Sequence, residues 1–428
     1  MWQLNTREIL GMNARNRLYT SKNTRSAKRI ANSKFETKKL MSDNGINVAK
    51  IIAVLNNHDD VDDFDWNILQ DNFVLKPSNG SGGKGIVVFR HRQPNDTFLD
   101  TMGVTWSLES LKTHCLDILE GKYSSHPGVD SSVIIEQRVE IHPQLLKFCY
   151  KGTPDVRVIV YNSVPVMAML RLPTKESEGR ANLHQGAIGV GIDLATGLTT
   201  TAITGSGRPI KRVPDSKKKL SGFLVPYWDE ILLTAIKAAN ISGISYAGVD
   251  LFIDKVRGPI IVELNTSPGL SIQLANHQGL KKRLERVKGL QVLTPEHGIK
   301  IARALFRSPL AEKFISPTEK VEIGFVTPGE LIIGKKQRRP VNFFVNTKRF
   351  RSSISQALAF ELGWLKPEDL LWYQKTESGE KQPVIEVSFV LAGRKVKTEM
   401  LVSKALDKSK NKVHLGRKDL KGFIIKGE

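Results

Sequence analysis

The segments Val249-Asp250-Leu251-Phe252-Ile253-Asp254, Lys255-Val256-Arg257-Gly258-Pro259 and Ile260-Ile261-Val262-Glu263-Leu264-Asn265-Thr266-Ser267-Pro268-Gly269 read as strand, turn and strand. If the chain reverses at Val256 and Arg257, residues whose numbers add to about 513 face each other, which sets Asp250 opposite Glu263. The period of two in a strand then puts Asn265 on the face of Glu263. Val249, Leu251 and Ile253 alternate with Asp250 and Phe252, and Ile260, Val262 and Leu264 alternate with Ile261, Glu263 and Asn265. The acids therefore share a face with Phe252 and Ile261, and paired carboxylates among apolar neighbours are costly unless a cation neutralises them. Mg²⁺ prefers oxygen ligands and is usually held by one or two protein carboxylates together with substrate phosphates. The hairpin predicts a magnesium site serving a nucleotide. A solvated pair of acids on a half-exposed hairpin is the alternative that the hairpin alone leaves open.

The phosphates call for a second element. Phe73-Val74-Leu75-Lys76-Pro77 reads as a strand, Ser78–Gly85 as a glycine-rich loop and Ile86-Val87-Val88-Phe89 as the returning strand. Gly80-Ser81-Gly82-Gly83-Lys84-Gly85 contains G-x-G-x-x-G, but a dinucleotide fingerprint must open a helix, and here a strand follows. A P-loop is excluded because Gly85 follows Lys84 where Ser or Thr is required. What remains is a strand-loop-strand flap whose glycines permit positive φ and close backbone approach, so that successive N–H groups can wrap phosphates. Lys76 enters the loop as a point charge. A plain glycine hairpin is the competing reading.

Composition bounds the rest. A chain of 428 residues should divide into two or three domains. It is 40% hydrophobic and 25% charged, ordinary globular usage. No apolar run approaches a membrane span and the N-terminus lacks a signal-peptide core, so a cytoplasmic protein without membrane association is expected. Cys115 and Cys149 are the only cysteines, too few for a disulfide framework, and no Cys/His cluster has zinc spacing. The net charge of +21 sits at the ends: residues 1–50 hold 11 Lys and Arg against 3 acids, and residues 320–428 hold 22 against 12. Such surfaces attract acidic peptides or nucleic acid. Base-reading motifs are absent, so specific nucleic-acid binding is not expected.

Residues 26–44 read as one helix stopped by Gly45, residues 46–54 as a strand, and Asp59–Asp65 as weakly structured. A helix at 107–120 precedes the strand Val133–Gln137; Arg157–Tyr161 and Val166–Leu170 read as paired strands, and Tyr227–Ala239 as a helix. Helices and strands interleave without strict βαβ order, which favours α+β. A boundary is expected in 291–322, read as a linker, with a strand-rich domain over 323–428.

Taken together, these signatures resemble the ATP-grasp superfamily, and within it the alpha-L-glutamate ligases and the branch related to them, over about residues 8–290. The resemblance rests on Lys34 in Ser33-Lys34-Phe35-Glu36-Thr37-Lys38 followed by Asn44-Gly45-Ile46-Asn47-Val48, and on Val74-Leu75-Lys76-Pro77 with the flap. It rests also on Ile134-Ile135-Glu136-Gln137-Arg138-Val139, Asp155-Val156-Arg157, Gly179-Arg180-Ala181-Asn182-Leu183-His184-Gln185-Gly186, and Gly248-Val249-Asp250 with Glu263–Gly269. It implies two α+β lobes over 1–290 with ATP between them. Lys34 and Lys76 would lie at the phosphates under Ser81, Gly82, Gly83, Lys84 and Gly85. Glu136, Gln137 and Val139 would meet adenine, with Glu140 at the ribose. Asp250, Glu263 and Asn265 would hold two Mg²⁺ ions, with Mn²⁺ as a substitute.

The implied reaction has a carboxylate attack the γ-phosphorus to give an acyl phosphate, from which an amine displaces phosphate to form an amide. Charge builds on phosphoryl oxygens and then on an oxyanion, so fixed cations matter more than a nucleophile. Arg157, Arg171 and Arg180 offer guanidinium forks for that charge. Asn182 would orient the acyl phosphate, and His184 is either a base or a structural hydrogen-bonding group. The substrates expected are ATP with amino-acid or peptide carboxylates and amines, and an acidic peptide or protein is a candidate partner. ATP-grasp enzymes commonly carry a full N-terminal α/β domain, whereas about thirty residues precede Lys34 here. Gly11–Asn16, the C-terminal domain or a second subunit is expected to complete the substrate pocket.

Residues 323–428 resemble the small all-β retropepsin-like barrel of a family of ATP-dependent zinc proteases. Asn346-Thr347-Lys348 stands where an acid protease needs Asp-Thr-Gly, and His414 is the only His or Cys there, so neither acid nor zinc proteolysis is expected. The leading reading is an ATP- and magnesium-dependent carboxylate-amine ligase adding glutamate or another amino acid to a peptide or protein. An ATP-grasp phosphotransferase and a non-catalytic nucleotide-binding adaptor with basic surfaces are the alternatives.

Overall fold

The computed structural model describes residues 6–69, 71–80, 83–124, 131–315, 320–334, 337–375 and 379–427. Ser81 and Gly82, both expected at the phosphates, lie outside the described residues. The chain divides into two compact units, Met1–Lys288 and Gly289–Glu428. No helix among the described residues is long and apolar enough to cross a membrane.

The first unit is α+β and is built on two sheets. The smaller sheet runs in the order Ile51–Leu55, Val133–Gln137, Phe73–Pro77, Val87–Arg92, Phe98–Asp100 and Thr105–Trp106. Its core gathers Phe73, Leu75, Phe89 and Phe98 from alternate strand positions with Leu111, Cys115 and Ile118 from the helix Leu108–Leu119. Phe73 and Phe89 stack at 4.5 Å, and Phe98 meets Phe73 edge-on at 5.5 Å. This core carries the flap, because Phe73–Pro77 and Val87–Arg92 pair at Val74↔Val88 and Leu75↔Val87.

The larger sheet has seven antiparallel strands in the order Pro209–Ile210, Thr199–Ile203, Ile188–Ile192, Val164–Leu172, Asp155–Tyr161, Tyr246–Asp254 and Gly258–Asn265. The helix Trp228–Ile241 packs its Ile231, Leu232, Ala235, Ile236 and Ala239 against it, a 3.6-residue stripe over a sheet face. The opening hairpin is the last pair of this sheet.

Three local readings are corrected. The helix expected over 26–44 is two helices, Arg25–Asn32 and Lys34–Asp43, broken at Ser33. Ser33 is extended (φ −103°, ψ 111°) and its hydroxyl accepts from the Glu36 N–H, so it caps the second helix instead of continuing the first. The strand expected from residue 46 begins at Ile51, with Val48 making an isolated bridge to Ile261. His58–Asp63 is a helix, capped by the Asn57 side chain on the Asp60 N–H at 2.8 Å, with Asp59 and Asp60 in its first turn where the dipole favours acids.

The second unit contains a closed barrel of six strands. Val326–Ile333, Gln337–Val345, Val413–Leu415, Ser353–Ser355, Arg394–Ser403 and Lys381–Leu391 pair in sequence, and Lys381–Leu391 returns to the first through Gly329↔Leu391, Glu330↔Val390 and Leu331↔Phe389. Closure removes the free edges. Leu370–Lys375 adds to Lys381–Leu391 as a seventh strand. Phe343, Phe389, Leu331, Met400 and Val413 fill the interior. The stretch 291–322, read as a linker, contains the helices Pro295–Phe306 and Pro309–Ile315, the first burying Ile299, Ile301, Ala302 and Phe306.

Candidate functional site

The hairpin has the register expected from its turn. Asp250 faces Glu263 and Gly248 faces Asn265, with a bulge between Asp250 and Leu251. On its other side Asp250 faces Arg157 across the neighbouring strand. Arg157 donates from Nε to Asp250 Oδ1 at 2.6 Å and from Nη2 to Oδ2 at 2.5 Å, a bidentate fork. Arg171 does the same for Asp155, at 2.5 and 2.7 Å, and adds a bond to Asp250 Oδ2 at 2.6 Å. The two arginines and two acids form one chain across three strands, all buried or nearly so. Burial opposes charge on Asp250, but Arg157 and Arg171 hold its carboxyl well below the usual range.

Glu263 differs. Its side chain is 40% exposed, 3.8 Å from Arg157 Nη2, and burial together with the charge of Asp250 pushes its carboxyl above its ordinary value. Asn265 donates from Nδ2 to Glu263 Oε1 at 2.9 Å, which leaves the amide oxygen to accept or coordinate. A carboxylate and an amide oxygen side by side on one strand are hard donors that suit Mg²⁺, and a cation would relieve the repulsion that raises Glu263. Asp250 fits less fully, since its oxygens already accept three guanidinium N–H bonds and about one of some four lone-pair directions remains. Among the described residues no group of three or more His, Cys, Asp or Glu could hold a metal by itself, so an ion here would need substrate oxygens to complete its shell.

The side expected to meet the phosphates carries lysines. Lys34, the first residue of Lys34–Asp43, reaches the flap and donates to the carbonyls of Pro77 at 3.0 Å and Gly80 at 2.9 Å. Burial, followed by the nearby ammonium of Lys76, lowers its pKa to about 8, while Glu263 and Glu136 both oppose that fall. Lys34 therefore lies within electrostatic reach of both the flap side and the strand that carries Glu263. Lys76 donates to Glu136 Oε1 at 2.7 Å. Lys38 pairs with Glu136 Oε2 and is 2% exposed. Sequence reasoning gave Lys38 no role; the available signal was its spacing of four from Lys34, which puts both on one helix face. Burial and then Lys76 lower Lys38 to about 7. Glu136 stays below its ordinary value because Lys76 and Lys38 outweigh its burial.

The remaining candidates are dispersed. Gly83 has φ +75°, and a Cβ there would sit 3.6 Å from Arg180 Cδ, so flap and Arg180 meet. Gly85 (φ +73°) packs on Tyr123, where a Cβ would fall 2.7 Å from the ring, and its carbonyl bonds His114 Nε2 at 3.0 Å; Lys84 is exposed. Arg180 is partly exposed and pairs with Glu178 at 3.4 Å. Asn182 caps its own turn, accepting from the His184 N–H at 3.0 Å, while the His184 side chain is exposed. Gln137 donates its N–H to the Lys50 carbonyl at 2.8 Å and Val139 is buried. Glu140 lies at the hairpin turn, where its carboxylate pairs with Lys255 and its N–H donates to Asp254 at 3.2 Å. In the segment Gly11–Asn16, Arg15 is buried and donates to the carbonyls of Ser267 at 3.2 Å and Pro268 at 2.8 Å, fixing the loop that follows the strand of Glu263 and Asn265.

A family model described as sugar-transfer associated ATP-grasp matches residues 13–289. Among curated proteins, the chain is 23% identical over 240 residues to a probable alpha-L-glutamate ligase of Thioalkalivibrio sulfidiphilus (strain HL-EbGR7), covering 56% of this chain and 57% of that protein. It is 34% identical over 119 residues to a probable alpha-L-glutamate ligase of Aliivibrio fischeri (strain MJ11), covering 28% of each. The chain thus spans little more than half the length of the first of these relatives and about a quarter of the second. Among solved structures, the ATP-grasp ligase PsnB complexed with minimal precursor aligns at 16% identity over 58% of this chain and 56% of that one, TM-score 0.30. The D-cycloserine synthetase DcsG aligns at 15% identity over 61% and 71%, TM-score 0.33.

Proposed function

Because the chain belongs to the sugar-transfer associated ATP-grasp family, we propose that it is an ATP- and magnesium-dependent carboxylate-amine ligase that joins glutamate or another amino acid to a peptide or protein. The observation that carries this reading is the position of Lys34: it holds the flap carbonyls of Pro77 and Gly80 and senses the charge of Glu263 on the metal strand. A group bound between them meets the flap's backbone, the ammonium groups and the oxygen donors at once.

The roles follow from charge. Lys34 and Lys76 bind phosphate oxygens under the flap, with Gly83, Lys84 and Gly85 covering them from above. Lys38 holds Glu136 in place, so that Glu136 can in turn orient Lys76. Gln137 and Val139 offer backbone groups to the adenine, and Glu140 a carboxylate to the ribose. Glu263 and Asn265 would hold magnesium, and Asp250, itself fixed by Arg157 and Arg171, would add its remaining lone pair. Magnesium supplies positive charge to the phosphoryl oxygens when bound. Arg157 and Arg180 face the charge that develops as a carboxylate is phosphorylated and an amine then displaces phosphate, giving an amide. Asn182 orients the acyl group. Arg180 lies beside the flap glycine Gly83, so flap closure and its placement are linked.

The barrel of the second unit carries Asn346 directly after the strand Gln337–Val345, with Arg417 holding the carbonyls of Thr347 and Lys348. We read it as a retropepsin-like barrel without proteolytic activity. The test is phosphate release from ATP with candidate amino acids and amines: release coupled to an amide product supports the ligase. Release without an amide favours phosphotransfer or hydrolysis, and ATP binding without turnover favours an adaptor.

A further inference from the structure

A shallow cleft, largely open to solvent, lies beside the flap, lined by Arg25, Lys28, Arg29, Asn32, Ser33 and Asn79. Its wall is the helix Arg25–Asn32, whose three cations fall at spacings of three and four and so share one face. Like charges on adjacent turns repel, and the compensation inside the molecule is slight. Arg29 lies 3.6 Å from Glu36, and the side chains of Arg25 and Lys28 have no ion-pair partner among the described residues. The cleft's position is equally specific. Ser33 precedes Lys34, and Asn79 stands between Pro77 and Gly80, the two residues whose carbonyls Lys34 holds. The helices Arg25–Asn32 and Lys34–Asp43 both pack on the strand that carries Glu263 and Asn265.

We propose that this cleft is a subsite for the carboxylate-rich segment of an acidic peptide substrate. The inference rests on the ligase reading, because in a ligase the group next to the phosphate end of the nucleotide is the carboxylate that becomes activated. Two or three guanidinium and ammonium groups one helical turn apart match carboxylates spaced along a peptide. The subsite positions the acceptor chain while a terminal carboxylate reaches toward Lys34.

The test uses the full chain with fluorescein-labelled tetraglutamate as probe and a fluorescent ATP analogue as a separate probe. The double variant Arg25→Gln/Lys28→Gln is expected to bind tetraglutamate about tenfold more weakly at low ionic strength, with ATP-analogue binding and Tm unchanged. Binding by the unaltered protein should itself weaken with added salt. A control variant on the barrel, Arg338→Gln/Lys395→Gln, should bind like the unaltered protein. The proposal is overturned if the unaltered protein does not bind tetraglutamate, if the helix variant binds it equally well, if the barrel variant loses as much, or if ATP-analogue binding falls in parallel. Phosphate and amide release are read separately, so tetraglutamate binding without turnover would sink the ligase reading and leave the cleft's specificity for carboxylates standing.

Discussion

Arg157 grips Asp250 with both arms of its guanidinium, Nε to Oδ1 at 2.6 Å and Nη2 to Oδ2 at 2.5 Å, while Glu263 on the opposite strand stands 3.8 Å from the same Nη2. The two acids of the hairpin are thus unequal. Asp250 is 1% exposed and bound by two arginines, whereas Glu263 is 40% exposed and pushed toward protonation. This asymmetry separates structure from chemistry in a pair of mutations. Asp250→Ala leaves two buried guanidiniums without their shared anion and should cost about 3–5 kcal/mol of stability. Glu263→Ala should cost under about 1 kcal/mol and keep a cooperative transition, yet abolish magnesium-dependent turnover. Thermal unfolding and phosphate release on the two variants check this, and a cooperative, stable Asp250→Ala protein would contradict it.

Lys34 is held near a pKa of about 8 by burial and by Lys76, and phosphate binding needs its ammonium form. A lysine lowered in this way loses its charge as pH rises through about 8. The kcat/KM for ATP, which reports the free enzyme, should therefore fall above about pH 8. Lys34→Arg should lower activity at neutral pH through altered geometry but remove that alkaline limb, because guanidinium keeps its proton. An alkaline limb unchanged in the arginine variant would assign it to another group.

Lys38 offers a stability test with the opposite emphasis. Its folded pKa of about 7 lies below the unfolded value of 10.5. Between those values the unfolded chain binds more protons than the folded one, so this group makes stability rise with pH across the window, the burial cost being fullest below about 7. Lys38→Met should flatten the slope of unfolding free energy against pH between about 7 and 10. It should also raise the KM for ATP more than it lowers kcat, since Glu136 is then left to Lys76 alone.

In the barrel, Gly329 marks the closing seam. A Cβ there would fall 2.6 Å from the Val390 carbonyl and 2.8 Å from the Phe343 ring, both fixed groups. Gly329→Val should destabilise the second unit by about 1–3 kcal/mol or more through overpacking. Hydrogen exchange should localise the loss to Val326–Ile333 and Lys381–Leu391, with the strands Phe73–Pro77 and Val133–Gln137 still protected.

The parts of this molecule that were legible in the sequence were those with a local rule. The hairpin register followed from one turn and the period of two, and the flap from glycines between two apolar runs. What escaped was set by partners distant in sequence. The spacing of four from Lys34 is the one local hint that separates buried Lys38 from exposed Lys39, and its role is set by Glu136, 98 residues away. Arg171 could have been any surface arginine until Asp155 and Asp250 were brought to it by strand pairing. Ser33 is the local exception: its hydroxyl satisfies the N–H of Glu36 only three residues on, a Ser-x-x-Glu start signal lying inside a pattern read as one helix. Arg15, a basic residue among others, is buried by the loop after the strand of Glu263 and Asn265. Barrel closure through Gly329 and Leu391 joins strands about sixty residues apart and leaves no local pattern.

Amide formation at a site shared by Lys34, Lys76 and Glu263 is read from the masses of the products. The full chain is incubated with ATP, Mg²⁺, a mixed amino-acid pool and an acidic acceptor peptide, with Glu263→Ala in parallel. ADP and phosphate are expected in equal amounts with a product whose mass is acid plus amine less one water, absent in the variant. ATP consumed with a phosphorylated product, or with no new covalent product at all, would contradict it.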